Sequence, residues 1–283
     1  KVLWWVEQKA SSYKRQATSD KLPQRQTQKN TYIKIMKTKE ALQITGSLSR
    51  PSKMPGFAYG IPAKECKTGS ILRKVKGSTC EKCYALKGCY VFPQTQDAQY
   101  KRLNSIRHPA WVKAMTVLIN SKKSKFFRWH DSGDIQDLKH LAKIFEVARR
   151  SPDVAHWMPT REAWVKPYLD RAPGNLVIRF SMPMVDQEAA RSWPHTSTVV
   201  SGAGRTCPAP DQDNACGACR ACWDPSVRNV AYGKHWMQQQ RTAGLWPAAN
   251  CRASICLKKA SSYKLQASSF KLQAQICPDY ITS

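Results

Sequence analysis

The sequence has no long hydrophobic run. None of its apolar stretches approaches the roughly 20 residues that a membrane-spanning helix requires. The first apolar stretch, residues 2–6, is too short for the core of a signal peptide, which takes about 7–15 residues. These two absences predict a cytoplasmic protein without a membrane partner.

Acidic residues are also scarce. The 283 residues include 19 Asp and Glu against 46 Lys and Arg, which gives a formal net charge of +27. A strongly positive protein attracts anions. Nucleic acid or a phosphorylated anion is therefore the expected partner. The alternative is a basic protein that has no specific anionic partner.

The two ends of the chain resemble each other. Residues 9–22 and 259–272 are identical at eleven of fourteen positions, and both are rich in Ser, Lys, Gln and Ala. Such segments bury too little apolar surface to fold. We predict a basic low-complexity flank over residues 1–35, an α/β metal-binding domain over 36–240 and a basic low-complexity tail over 241–283. The two ends are interpreted either as disordered basic tails or as sequence outside the native coding region.

Strand and helix patterns alternate through the middle of the chain. Strands are predicted at residues 56–62, 125–131, 154–158, 176–182, 197–201 and 229–235, and helices at 109–121, 138–150, 161–169 and 186–192. This alternation predicts an α/β fold with a partial, barrel-like (βα)6 parallel sheet. A cysteine-rich metal-binding insertion is expected near its C-terminal end. Functional residues in such folds gather in the loops that follow the strands.

The first cysteine group contains Cys66, Cys80, Cys83 and Cys89. Two cysteines three positions apart can turn both sulfurs toward one metal ion. If Cys66, Cys80 and Cys83 bind alone, one coordination position stays open for chemistry. If Cys89 joins them, the site is closed and structural. The sequence leaves both possibilities open.

The second cysteine group is more compact. Cys207, Cys216, Cys219 and Cys222 lie within sixteen residues, with small residues between them. Four thiolates suit either a tetrahedral zinc ion or a four-iron cluster. The close spacing of the last three cysteines is typical of iron–sulfur ligation. The sequence predicts a metal site here without deciding between iron–sulfur and zinc.

Three segments together resemble the phage gene product 88 family. They are residues 80–85 (CEKCYA), residues 126–134 (FFRWHDSGD) and residues 216–223 (CGACRACW). The similarity extends over roughly residues 40–235. It implies a phage or prophage protein that acts in the cytoplasm of the host cell.

A wider resemblance is to radical S-adenosylmethionine (SAM) enzymes. Those enzymes use a partial barrel of six βα units, with a three-cysteine loop after the first strand and a glycine-rich turn after the second. Here Cys66 follows the first predicted strand, and Ser132, Gly133 and Asp134 end the second. The resemblance implies that these last three residues bind SAM.

The same resemblance implies a mechanism. Cys66, Cys80 and Cys83 would hold three irons of a [4Fe-4S] cluster, and the fourth iron would bind SAM. An electron donor would reduce the cluster, and cleavage of SAM would give a radical that abstracts hydrogen from the substrate. The downstream cysteines would hold an auxiliary cluster. The residues implied as catalytic contacts to the substrate are His130, Asp131 and Arg179.

Two other functions remain open from the sequence. Two zinc sites would make the chain a basic phage protein that binds nucleic acid, because aromatic and cationic residues alternate in residues 127–129. No Cys2His2 spacing supports a DNA-reading finger. Alternatively, His130, Asp131 and Asp134 would hold a divalent ion in a metal-dependent nuclease.

Overall fold

A computed structural model describes residues 36–234, and all structural statements below concern this part. The predictions for residues 1–35 and 241–283 lie outside the described residues. Six strands form one all-parallel sheet, and their order across the sheet is their order in the sequence. The strands are β1 (Phe57–Tyr59), β2 (Phe126–Trp129), β3 (Ala155–Thr160), β4 (Leu176–Val185), β5 (Thr196–Val200) and β6 (Asn229–Gly233).

The prediction of an α/β fold with six parallel strands is confirmed. Each strand falls within or beside the stretch predicted for it. The described sheet is open rather than closed, because β1 and β6 are its two edges. Parallel order places the C-terminal ends of all six strands along one rim.

Five helices connect or precede these strands. They are α1 (Thr38–Thr45), α2 (Lys67–Leu72), α3 (Pro93–Ser105), α4 (Trp111–Ser121) and α5 (Leu138–Arg149). Short 3-10 segments occur at Ala63–Glu65, Tyr84–Leu86, Gly88–Val91, Ala163–Arg171 and Ala209–Asp211. In the described part of the chain, no helix is long and apolar enough to cross a membrane.

The hydrophobic core lies between one face of the sheet and helices α4 and α5. Trp111 and Met115 of α4 and Ile144 of α5 are fully buried there, against Phe127 and Trp129 of β2. Helix α5 carries its apolar residues at spacings of three and four, so they form one stripe toward the sheet. Its first turn is capped by the carboxylate of Asp137, which accepts a hydrogen bond from the His140 amide.

The opposite face of the sheet carries a different set of side chains. Because side chains alternate along a strand, Arg128 projects away from Phe127 and Trp129. Arg128 pairs in register with Trp157 of β3. The Trp157 ring contacts the ring of Trp223, with 5.3 Å between centroids. We call this side the cysteine face, defined by Arg128, Trp157, Arg179 and Tyr232, because the segments that carry the cysteines pack on it.

Two predicted helices differ in the structure. Residues 163–171 form a 3-10 segment because Pro167 lies inside it, lacks an N–H and interrupts α-helical bonding. The predicted helix at residues 186–192 is wrong. Asp186 adopts a left-handed backbone (φ 59°), and its carboxylate accepts bonds from the amide and hydroxyl of Ser201. This turn links the ends of β4 and β5, and its left-handed backbone prevents a helix from beginning at Asp186.

Candidate functional site

The first cysteine group lies at the rim beyond β1. Cys66 immediately precedes α2, and Cys80 and Cys83 lie in a tight turn in which the Cys83 amide donates to the Cys80 carbonyl (3.2 Å). The Thr79 amide donates to the carbonyl of Pro183, which ties this turn to the end of β4 (2.9 Å). Residues distant in sequence therefore hold the three cysteines together at one rim.

Gly69 packs closely against Cys66 and Cys80. A Cβ placed on Gly69 would lie 2.9 Å from Cys66 Cβ, 3.6 Å from Cys66 Sγ and 3.7 Å from Cys80 Sγ. Both sulfurs therefore lie beside Gly69, and a side chain at this position would crowd them. Cys83 is close enough to raise the pKa of the other two thiols.

These thiols are buried beside charged groups. Burial raises the pKa of Cys66, and the carboxylate of Asp134 raises it further. Burial also raises the pKa of Cys80, while the guanidinium of Arg161 acts in the opposite direction at both thiols. Thiols of this kind keep their protons until a metal replaces them.

Asp134 connects the loops that follow β2 and β3. Its Oδ1 accepts from the amide of Ile135 (2.7 Å), and its Oδ2 accepts from the amide of Arg161 (2.8 Å). Burial and the nearby carboxylate of Glu162 raise the pKa of Asp134 to about 7. Glu162 in turn accepts from the amide of Thr68 in α2 (2.9 Å). Both Asp134 oxygens are thus already occupied by backbone donors.

The predicted SAM-binding turn has a backbone that only glycine permits. Gly133 has φ +81°, and a Cβ there would lie 2.3 Å from Ile61 Cγ1 and 2.7 Å from the Ile61 carbonyl oxygen. The amide of Ile61 donates to the carbonyl of Ser132 (2.9 Å). The Ser132 hydroxyl is buried and has no hydrogen-bond partner among the described residues. It remains available to a bound group.

His130 and Asp131 occupy the start of the same loop. His130 has a left-handed backbone (φ 55°), and both of its ring nitrogens are buried without a hydrogen-bond partner in the described part. Burial lowers its pKa well below the usual value. Asp131 accepts a bond from the Ser49 hydroxyl at Oδ1 (3.2 Å), and its carbonyl accepts from the Tyr84 hydroxyl (2.6 Å). Their predicted contacts with substrate stay predictions.

The second cysteine group surrounds one cavity on the cysteine face. Cys207, Cys216, Cys219 and Cys222 line a space of about 20 Å³. The rest of its wall is apolar and comes from Pro208, Ala209, Ala221, Trp223 and Val230. The Cys219 amide donates to the Cys216 carbonyl (2.9 Å), and the Cys207 amide donates to a β6 carbonyl (3.0 Å).

Arg179 holds this second segment to the sheet. Its Nη2 donates to the carbonyls of Ala221 (2.7 Å) and Asp224 (2.9 Å), and its Nη1 donates to that of Val227 (2.8 Å). Its Nε donates to the carbonyl of Cys222 (3.0 Å). Arg179 was predicted as a substrate contact on the rim. It is instead fully buried with its donors on backbone carbonyls, so its contacts indicate a positioning residue.

Three further residues at the site were not predicted from the sequence, namely Tyr84, Arg128 and Tyr232. Tyr84 follows Cys83 directly and accepts a hydrogen bond from Arg128 Nη2 (3.2 Å). The Tyr232 hydroxyl lies 3.1 Å from Cys222 Sγ. Strand alternation in β2 and β6 could have placed Arg128 and Tyr232 on one face, but not beside cysteines distant in sequence.

Among residues 36–234, Cys89 differs from the other seven cysteines. Those seven are free thiols, and Cys89 is not among them. It lies exposed in the 3-10 segment Gly88–Val91. Its role as a ligand stays a prediction.

Within residues 36–234, no three His, Cys, Asp or Glu side chains stand close enough together to hold a metal ion. This applies to His130, Asp131 and Asp134 as well as to both cysteine groups. The carboxylates would have to leave the protein donors that now bind them. By contrast, the Cys66 and Cys80 sulfurs lie beside Gly69, and four cysteines line the downstream cavity. The donor chemistry of both cysteine groups therefore fits a thiolate-bound metal.

These features define an α/β protein with an open parallel sheet and two cysteine groups on one side of it. The family model for gene product 88 matches residues 24–225, which is more than half of the chain. The chain therefore belongs to the gene product 88 family, and the resemblance noted from its motifs is confirmed. No curated protein and no solved structure matches it significantly.

Proposed function

We propose that the protein is an iron–sulfur enzyme of the radical SAM type. Cys66, Cys80 and Cys83 would hold its [4Fe-4S] cluster, and Cys207, Cys216, Cys219 and Cys222 would hold a second, structural metal. The observation that supports this most is the convergence of rim thiols beside Gly69, where the Cys66 and Cys80 sulfurs would lie 3.6 and 3.7 Å from an added Cβ. Three thiolates leave one iron of a cubane cluster without a protein ligand.

A reduced cluster held by Cys66, Cys80 and Cys83 would supply one electron for the cleavage of SAM. The protein's part is to bury and position the reactants. The guanidinium of Arg161 lies close enough to lower the pKa of both Cys66 and Cys80, so it favours their thiolate forms. Its Nε donates to the Thr79 hydroxyl (3.1 Å), which fixes it beside the Cys80 turn.

The loop after β2 would receive SAM. Ser132 offers a buried hydroxyl without a partner in the described residues, and Gly133 brings the backbone close to β1. We propose a role for Asp134 that differs from the SAM contact implied by the resemblance. Its carboxylate holds the β2 and β3 loops together, so we assign it to positioning the turn rather than to contact with SAM.

The downstream group suits a single ion better than a cubane cluster. Its cavity of about 20 Å³ is close to the space of one water-sized sphere. Four thiolates around one small cavity match tetrahedral Zn²⁺, and an all-cysteine site of this type is structural. The rest of the wall is apolar and offers no general acid or base.

The test is SAM cleavage by the full chain, purified without oxygen and supplied with iron, sulfide and a reductant. Formation of 5′-deoxyadenosine is measured in the wild type, in Cys83→Ser and in Cys89→Ser. We expect Cys83→Ser to reduce product at least a hundredfold and Cys89→Ser to leave it nearly unchanged. No product from iron-loaded wild type, or equal loss in both variants, would contradict a three-thiol catalytic site.

A further inference from the structure

Arg128 stands between the two cysteine groups on the cysteine face. It lies in the middle of β2 and contacts Tyr84, the residue after Cys83. On its other side it stacks on the ring of Trp157, which contacts the ring of Trp223, the residue after Cys222. An anion held between the two cysteine segments would therefore lie beside this guanidinium.

The guanidinium is fixed in place by neutral groups. Its central carbon lies 4.6 Å from the centre of the Trp157 ring, which is a cation–π contact. Its Nη2 donates to the Tyr84 hydroxyl (3.2 Å). Its Nε is buried and has no hydrogen-bond partner in the described residues. The planar cation is thus oriented while part of its donor capacity is unused.

No carboxylate neutralises Arg128 directly. The ion pairs among residues 36–234 are Glu146 with Arg149, Glu146 with Arg150, and Asp211 with Arg205. Asp131 is near enough to raise the pKa of Arg128. However, its Oδ1 is bound by the Ser49 hydroxyl and packs against Gly60, where a Cβ would lie 2.3 Å away. A bound anion would therefore give the buried Nε of Arg128 the acceptor that it lacks among the described residues.

We propose that Arg128 binds an anionic group, a phosphate or a carboxylate, of the molecule on which the enzyme acts. Guanidinium groups bind both anions through paired N–H donors, and stacking on an aromatic ring keeps the fork oriented. Only the identification of the bound molecule as the substrate of an enzyme rests on the proposed function. Binding of the anion depends on Arg128, Trp157 and Tyr84 and not on the metal.

A competing explanation assigns Arg128 to the downstream thiolates alone. Its charge would then offset theirs, and its replacement would release the downstream metal without changing the binding of any anion. Metal content and anion binding therefore have to be measured on the same samples.

The experiment is equilibrium dialysis of the full chain against radiolabelled inorganic phosphate and, separately, acetate, in a low-salt buffer without competing anions. Arg128→Gln removes the cation, and Arg128→Lys keeps the charge but not the fork. Arg150→Gln is the matched control, because it removes an equal charge from an exposed pair. Zinc, iron and sulfide are measured on each sample.

We expect one saturable anion site in the wild type and in Arg150→Gln. Arg128→Gln should weaken it at least tenfold, and Arg128→Lys should weaken it to a smaller extent. Stronger binding of phosphate indicates a phosphorylated substrate, and stronger binding of acetate indicates a carboxylate. If Arg128→Gln does not fold, anion binding by Arg128→Lys takes its place as the test of the proposal.

Two results would overturn the proposal. One is the absence of a saturable site for either anion. The other is unchanged binding in the Arg128 variants, with or without loss of metal. Phosphate binding that depends on Arg128 in a protein that takes up no iron would refute the radical SAM function while supporting the anion site.

Discussion

The two cysteine groups share one side of the sheet but differ in their surroundings. The upstream group has three thiols beside a buried carboxylate and a guanidinium, Asp134 and Arg161. The downstream group has four thiols in an apolar cavity, and its backbone is held by Arg179. Under the proposed function, the number of thiols and their neighbours, more than the presence of cysteine, would distinguish a site for chemistry from a structural site.

They also differ in how they are assembled. The upstream group draws on the loops after β1, β2 and β3 and on the end of β4. The downstream group comes from one short segment and is fixed by contacts from β4 and β6. A change in the sheet should therefore disturb the upstream group through many loops, and the downstream group mainly through Arg179.

The largest expected effect is on the downstream group. Arg179→Met removes the donors that bind the carbonyls of Ala221, Asp224 and Val227 and leaves these part-buried carbonyls without their partner. We expect the free energy of unfolding to fall by about 3–5 kcal/mol, because hydrogen bonds to a charged group contribute about 1.5–3 kcal/mol each. Urea unfolding measures this change. Arg150→Met, at an exposed pair, should change it by less than about 0.5 kcal/mol. Equal changes in the free energy of unfolding for the two variants would contradict a positioning role for Arg179.

The second prediction concerns a substitution that should affect metal binding at the upstream group but not at the downstream group. Gly69→Ala places a methyl group 2.9 Å from Cys66 Cβ and close to the sulfurs of Cys66 and Cys80. Overpacking of this kind costs about 1–3 kcal/mol, and we expect iron to be lost while zinc remains. Gly174→Ala is the control, because a Cβ there meets nothing within 4 Å. Full iron content in Gly69→Ala, measured by metal analysis, would show that the iron does not bind beside Gly69.

A third effect tests the helix-covered face, which is independent of both groups. His156 of β3 is buried against Trp129, and burial lowers its pKa to about 3. The unfolded chain has a histidine pKa of about 6.5 and binds the proton first, so stability is lost as the pH falls from about 6.5 toward 3. We expect His156→Gln to reduce this slope by about 1.4 kcal/mol per pH unit between about pH 5.5 and 4. Chemical unfolding at several pH values measures it. An unchanged slope would mean that His156 is protonated in the folded protein.

The smallest expected effect concerns one hydrogen bond in the downstream group. Tyr232→Phe removes the hydroxyl that lies 3.1 Å from Cys222 Sγ. A single bond of this kind contributes about 1 kcal/mol, which corresponds to about fivefold weaker zinc binding. Competition with a zinc chelator measures this affinity, and the upstream iron should be unaffected. Tyr100→Phe, on an exposed tyrosine bonded to Glu65, provides the comparison. An equal effect in both variants would contradict a contact specific to Cys222.

The sequence was most informative where the signal is local. Its apolar runs located all six strands, and the spacing of the cysteines located both groups. Helices α1, α2 and α3 were not predicted, because α1 and α2 are only eight and six residues long and the apolar residues of α3 do not form a strong stripe. The helix at residues 186–192 failed because Asp186 bonds to Ser201, which lies fifteen positions away.

The roles of the charged residues could not be read in the same way. Arg179 binds backbone carbonyls about forty positions away. Every residue has such a carbonyl, so the sequence does not show which of them accept a hydrogen bond. Asp134 looked like a SAM contact, but its oxygens bind the amides of Ile135 and Arg161. Arg128 stood in a visible run of aromatic and basic residues, yet its position between the two cysteine groups follows only from the register of β2 and β3.

The proposed function requires the two cysteine groups to hold different metals, and metal analysis of the full chain tests this requirement. The chain is purified without oxygen, and iron, acid-labile sulfide and zinc are measured per protein molecule. We expect about four irons with about four sulfides at the upstream group and about one zinc at the downstream group. Two zincs with no iron and no sulfide would contradict the proposed function.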